Sequence, residues 1–246
     1  MIKIKGDGLS KIAVAVFCKT PAPGQSKTRL SPPLKAEECA EISACFIKDL
    51  AHTIGQLVQD GDVSAYALYT PRGSEQALLD LLPPGFNLAL QCDGDFGTRL
   101  RLGAENLLRA GHDGAILVNS DSPTLPLSTL RAAVDAVHRG DSAVLGPAFD
   151  GGYTLVGLSK PHERLFEDMP WSTSAVYATT LDRAREIGLP VVSVPGWYDV
   201  DDRESLELLE AEFAGHPPPF STTAGAYAWS TRQFLTNRRV ALHHPK

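Results

Sequence analysis

The segment Lys19-Thr-Pro-Ala-Pro-Gly-Gln-Ser-Lys-Thr-Arg-Leu30 gathers three cations, Lys19, Lys27 and Arg29, around Gly24 in a chain whose net charge is −6. Lysines supply point charges and an arginine a bidentate fork, the chemistry that wraps phosphates. A solvated basic loop is the bland alternative. The spacing is neither GxGxxG nor GxxxxGKS/T, so neither a dehydrogenase fingerprint nor a P-loop is present. Three acidic segments complement this loop. Asn119-Ser-Asp-Ser-Pro-Thr-Leu125 sets Asp121 at the end of an apolar run, where a carboxylate can hold a metal or a ribose hydroxyl. It can equally help cap the next helix, with Ser122 or Thr124 as the first residue. Asp150-Gly151-Gly152 puts a carboxylate before two residues free to take positive φ, letting backbone approach a ligand, although a plain hairpin turn uses Asp-Gly as readily. Asp199 and Asp201 alternate, so an extended segment puts both carboxylates on one side. Asp201 with Glu204 also reads as a capping box.

A basic loop together with carboxylates from distant strand ends matches the way Mg2+ is held, by one or two carboxylates and the oxygens of substrate phosphates. The seven histidines are scattered without zinc spacing, and no GxSxG elbow occurs.

These residues need a frame, and the hydropathy pattern supplies one. Continuous apolar runs at 12–18 and 115–119 read as buried strands, and further strands are expected at 64–69, 88–92, 142–145, 153–158 and 191–194. Helical patterns fall at 35–58, 74–82, 98–109, 127–138, 173–187 and 204–213. Strands alternating with helices imply a mostly parallel sheet covered on both faces. The link between 142–145 and 153–158 is too short for a parallel crossover, so one antiparallel excursion is expected. Ligands of such sheets bind beyond the carboxyl ends of the strands, where all four polar segments fall. A Pro-rich break at 216–219 divides a main domain, 1–214, from a C-terminal extension, 215–246, with one helix at 223–235 and a frayed basic tail.

Composition narrows the partners. Apolar residues make up 43% and charged residues 21% of the 246, ordinary for a globular enzyme. The acidic balance argues against nucleic acid. No apolar run approaches the roughly 18 residues of a membrane span, and the four cysteines lack metal-like spacing. A cytoplasmic protein is expected, of unspecified oligomeric state.

The segment 17–30 resembles the opening of the DUF2064 family of GT-A-like bacterial transferases. Gly94-Asp-Phe-Gly-Thr-Arg-Leu100, Ser120-Asp-Ser-Pro123, Gly146-Pro-Ala-Phe-Asp-Gly-Gly-Tyr153, Met169-Pro-Trp-Ser172 and Asp199-Val-Asp-Asp202 follow in the same order. The resemblance implies a GT-A, nucleotide-diphospho-sugar transferase fold: a three-layer α/β/α sandwich. It implies metal-dependent glycosyl transfer from a nucleoside diphosphate sugar to a small-molecule acceptor. Lys27 and Arg29 would hold the diphosphate, with Lys19, Gly24, Arg99, Gly151 and Gly152 also on the nucleotide side. Asp121 would be the counterpart of the metal-binding Asp-x-Asp. Pro123 stands where its second Asp would be, so Asp199 or Asp201 must complete the Mg2+ or Mn2+ site. Asp150 would face the sugar or acceptor and act as general base if the reaction inverts, and Trp171 would stack on a ring or simply pack. The Lys-Ser/Thr-Arg-Leu signature is also similar to 2-phospholactate guanylyltransferase, which implies the rival reaction, nucleotidyl transfer with release of pyrophosphate. A non-catalytic nucleotide-binding protein is the third possibility.

Overall fold

The computed structural model describes residues 11–59, 61–221 and 223–243. Seven strands form one sheet in the order β3-β2-β1-β4-β6-β5-β7: β1 (Ile12–Lys19), β2 (Val63–Thr70), β3 (Asn87–Leu90), β4 (Gly114–Asn119), β5 (Ala143–Pro147), β6 (Tyr153–Leu158) and β7 (Val191–Ser193). All neighbours run parallel except β6, which is antiparallel to both β4 and β5. The expected excursion is therefore β6, placed by the short 148–152 turn that cannot carry a crossover.

Burial follows the pleat. Ile12, Val14, Val16 and Cys18 of β1 face one core, packed by α1 (Ala36–Val58), α4 (Leu127–His138), α6 (Arg203–Phe213) and α7 (Trp229–His243). Ala13, Ala15 and Phe17 face the other, packed by α3 (Phe96–Arg109) and α5 (Val176–Glu186). Alternate residues of a strand point to opposite faces, so a strand apolar at every position must be covered on both sides. The result is the three-layer α/β/α sandwich of the nucleotide-diphospho-sugar transferase type.

Two helices are shorter than their patterns predict. The helix expected at 74–82 is the single turn-and-a-half α2 (Glu75–Leu79). The one expected from 173 begins only at Val176, after Ser172 takes a left-handed conformation at φ 64°. The C-terminal helix departs most: α7 starts six residues later than expected and continues to His243, so only 244–246 of the expected frayed tail lie outside the described residues. Its start is fixed from far away. Ala228 turns left-handed at φ 51°, and buried Asp49 of α1 accepts hydrogen bonds from Ser230 N, Thr231 N and Thr231 Oγ1 at 2.6–2.8 Å. No local pattern could reveal a cap contributed from 181 residues away.

Asp49→Ala therefore removes the cap and leaves buried donors unpaired, a cost of about 2–3 kcal/mol. Thermal unfolding should show a drop of several degrees; an unchanged melting temperature would contradict this role.

Candidate functional site

The carboxyl ends of β1, β4 and β6's neighbours open into two connected hollows of about 350 and 570 Å3. They share Phe17, Arg29, Phe96, Ser120, Asp121 and Asp201, so they form one continuous cleft with acidic residues at its waist. The smaller hollow is cationic, lined by Lys19, Lys27, Arg29 and Arg99. The larger carries Asp150 and Asp199, the aromatic rings of Tyr153 and Trp171, and the hydroxyl-bearing run 172–174.

Lys27 is the centre of the waist. Its Nζ lies 2.7 Å from both Asp121 Oδ1 and Asp201 Oδ1, with only 6% of its side chain exposed. Burial alone would lower its pKa, but the attraction and hydrogen bonds of the two carboxylates more than offset this and raise it. The backbone at Lys27 is left-handed, φ 48° and ψ 39°, just ahead of a short 3-10 turn over Thr28–Leu30; a non-glycine residue holds that conformation only where its surroundings demand it. Exposed Arg29 adds a second contact, Nη2 to Asp201 Oδ2 at 2.9 Å. The sequence led one to expect Lys27 as an open phosphate ligand. Its ammonium is instead already shared between two of the expected metal ligands.

The capping alternatives resolve clearly. The N-cap of α6 is Asp202, whose carboxylate accepts from Ser205 N at 2.9 Å, and these bonds lower its pKa. The expected Asp201–Glu204 box is thus displaced by one residue, and Asp201 is released to the cleft. Likewise α4 begins after Pro126 without a side-chain cap. Thr124 is otherwise engaged: its hydroxyl accepts from Trp197 Nε1 and donates to Glu212, both at 3.0 Å. Asp121 caps nothing. The backbone bond from Val200 N to Asp121 O, 2.8 Å, holds the two acidic loops together.

Asp199 is half-buried, and burial followed by the charges of Asp201, Asp150 and Asp121 pushes its pKa up to about 7. Asp150 is exposed, with Oδ1 accepting from Gly152 N at 2.8 Å. Gly151, at φ 89°, could not be otherwise: a Cβ there would lie 2.1 Å from Ser174 O. Packing of the turn on the 172–174 loop already requires glycine here. Gly24 needs only its positive φ of 68°, with open space around it. Trp171 meets the edges of Phe96 and Tyr153 at 5.0 and 6.4 Å, and its indole occupies the space that a Cβ on Gly97 would take. It both packs and lines the cleft.

Gln91 was not anticipated, since a lone glutamine forms no motif. Its buried Nε2 donates to Cys18 O and Leu68 O, and its Oε1 accepts from Arg99 Nη1 at 3.0 Å.

Asp121 and Asp199 supply hard oxygen donors whose mutual repulsion a divalent cation would relieve, so the donor set fits Mg2+ or Mn2+. Among the described residues, no three His, Cys, Asp or Glu side chains form a ready-made metal cluster. Both oxygens of Asp201 are engaged by Lys27 and Arg29, which makes Asp121 with Asp199 the better-fitting pair.

A seven-stranded sheet with one reversed strand, crossed by a cleft that changes from cationic to acidic, defines a protein with the nucleotide-diphospho-sugar transferase fold. Residues 53–173 match the DUF2064 family, described as "Uncharacterized protein conserved in bacteria"; that stretch includes Arg99, Asp121, Asp150 and Trp171 but neither the Lys27 loop nor Asp199. The chain is 27% identical over 202 residues to the phosphoenolpyruvate guanylyltransferase of Sphaerobacter thermophilus, covering 78% of this chain and 88% of that one. A solved protein of Desulfovibrio desulfuricans G20, provisionally assigned as a nucleotide-diphospho-sugar transferase, superposes with a TM-score of 0.80 at 26% identity, over 96% of this chain and 98% of that one. A cytidylyltransferase of Leptospira borgpetersenii shares the fold alone, with a TM-score of 0.54 at 11% identity over 96% and 99%.

The raised pKa of Asp199 has a measurable consequence. A carboxyl whose folded pKa lies above its unfolded value contributes stability at acid pH that is lost as pH rises through about 7. In metal-free buffer Asp199→Asn should therefore raise the unfolding free energy at pH 8 by on the order of 2 kcal/mol after allowance for solvent screening, seen as a higher melting temperature. The gain should shrink towards pH 4. A gain equal at both pH values would contradict the assignment.

Proposed function

We propose that the protein transfers a glycosyl group from a nucleoside diphosphate sugar to a small-molecule acceptor, with Mg2+ or Mn2+ as cofactor. The observation that carries this reading is the division of charge along the cleft. Lys19, Lys27, Arg29 and Arg99 line one half and suit a diphosphate. Asp150, Asp199, Tyr153, Trp171 and the 172–174 hydroxyls line the other. Carboxylates, hydroxyls and aromatic faces suit a neutral, polyhydroxylated ring and repel an anionic acceptor.

When bound, the cation supplies charge neutralisation to the departing diphosphate. Asp121 and Asp199 would hold it. Lys27 keeps the two acidic loops in place, and Arg29, exposed at the rim, meets the phosphates. Asp150 faces the acceptor half with Oδ2 outside its turn hydrogen bond and would take the acceptor's proton. Trp171 and Phe96 keep water from the sugar side. The four free cysteines fit a reducing, cytoplasmic setting.

Nucleotidyl transfer is the second reading, favoured by the likeness to a guanylyltransferase. Product analysis separates the two. Incubated with Mn2+, a panel of small-molecule hydroxyl acceptors, and either nucleotide sugars or nucleoside triphosphates, the protein should release nucleoside diphosphate from the former as the sugar passes to the acceptor. Asp121→Asn should slow this at least ~100-fold. Pyrophosphate from the triphosphates, without any nucleoside diphosphate from the sugars, would replace the proposal with the second reading.

A further inference from the structure

Away from the cleft, we infer that a third hollow, between α1 and the start of α7, binds a small amphipathic anion: an apolar, ring-sized body carrying one carboxylate or similar group. Its occupancy is independent of whether the cleft takes a nucleotide. The hollow measures about 760 Å3, larger than either half of the cleft, and has no lining residue in common with them. Small-molecule sites span roughly 300–1,000 Å3 and combine apolar walls with a few polar groups.

The polar side of this hollow is one stripe of α1. Lys48, Asp49, His52, Thr53 and Gln56 recur at i, i+1, i+4, i+5 and i+8, a single helix face. Two of the five are buried and already satisfied. Asp49 engages both oxygens with the start of α7, Oδ1 accepting from Ser230 N and Oδ2 from Thr231 N and Oγ1. Thr53 Oγ1 donates to Asp49 O at 3.1 Å. Lys48, His52 and Gln56, one turn apart, make no side-chain hydrogen bond or ion pair among the described residues. An anion entering here meets unpaired donors. A cation meets only a carboxylate whose oxygens are already hydrogen-bonded.

The rest of the lining is apolar. Leu81, Leu82 and Pro83, ahead of β3, line the hollow together with Leu127 of α4, Tyr227 and Trp229. Tyr227 and Trp229 remain 69% and 62% exposed, separated by the left-handed turn at Ala228. Arg232 covers one face of the Tyr227 ring at 4.7 Å, whereas no ring or cation lies against Trp229 among the described residues. Single exposed apolar side chains are ordinary. Two exposed aromatics at the rim of a hollow walled by leucine and proline instead form a continuous apolar surface, which a ligand of matching body would remove from water. Free cations on one wall and aromatic faces on the other are the complement of an amphipathic anion.

Calorimetric titration of the full chain with three probes of matched shape tests this: naphthoate, naphthalenemethanol and naphthalenemethylammonium. Naphthoate should bind at least ~10-fold more tightly than the other two, the effect of two partly exposed cations on one anion. The double variant Lys48→Gln/His52→Gln, at exposed positions, should bring naphthoate within about threefold of the alcohol. Trp229→Ala should weaken naphthoate at least ~10-fold, with the circular dichroism of the wild type. Equal affinities for the three probes, or a preference for the ammonium, would overturn the proposal. A naphthoate affinity unchanged in Trp229→Ala would place the ligand elsewhere and overturn it too. Failure of all three to bind would do the same; loss of self-association in Trp229→Ala, followed by sedimentation, would then make the hollow an interface between copies of this chain.

Discussion

The cleft depends on one buried ammonium. Lys27 joins Asp121 and Asp201, two carboxylates on separate loops, and does so from a left-handed backbone. Taking a lysine out of water is costly unless charge and hydrogen bonds both compensate, and here two charge-assisted bonds of 2.7 Å do so. The consequence is a fixed distribution of charge. Asp121 and Asp201 are paired with the ammonium, while Asp199 and Asp150 line the other side of the cleft. Burial first, and then the charges of Asp201, Asp150 and Asp121, lift Asp199. The smaller hollow, lined by Lys19, Lys27, Arg29 and Arg99, is cationic, and the larger one carries Asp150 and Asp199.

The acidic loops are also braced from behind. Tyr198, next to Asp199, donates to Glu212 of α6, and Glu212 also accepts from Thr124 of the Asp121 loop. Burial raises the Glu212 pKa, against the opposing effect of these hydrogen bonds. The segment beyond residue 214 closes the brace: Ala226 N donates to Thr124 O at 2.9 Å, and a Cβ at Gly225 would clash with Glu212. Residues that read as an appendage thus contact the supports of Asp121 and Asp199. Arg232 of α7 stacks between Phe213 and Tyr227 and bonds to Phe213 O, anchoring the same segment.

Much of this was legible in the sequence, for definite reasons. Continuous apolar runs at β1 and β4 could only be doubly covered strands, and the short turn before β6 could only reverse it. The strand-end rule then places Asp121, Asp150, Asp199, Lys27 and Arg29 around one cleft. What the sequence could not show were pairings between distant positions. Lys27 carries the signal of a phosphate lysine, and nothing local announces two aspartates at positions 121 and 201. Asp201-x-x-Glu204 and Asp202-x-x-Ser205 are equally good caps on paper; the difference lies in which carboxylate Lys27 claims. Gln91 and Asp49 escaped for the same reason, since each acts on partners in other elements. The packing of Gly151 against the backbone of Ser174 is equally invisible in its motif.

The central claim is that the Lys27–Asp121–Asp201 waist separates a nucleotide half of the cleft from an acceptor half. A crystal structure grown with a nucleoside diphosphate and Mn2+ tests it most directly, because manganese locates itself by anomalous scattering. The account predicts the diphosphate beside Lys27 and Arg29, and manganese against Asp121 and Asp199. Diphosphate and metal bound outside this cleft, or a nucleotide lying with its base among Asp150, Asp199 and Trp171, would contradict it.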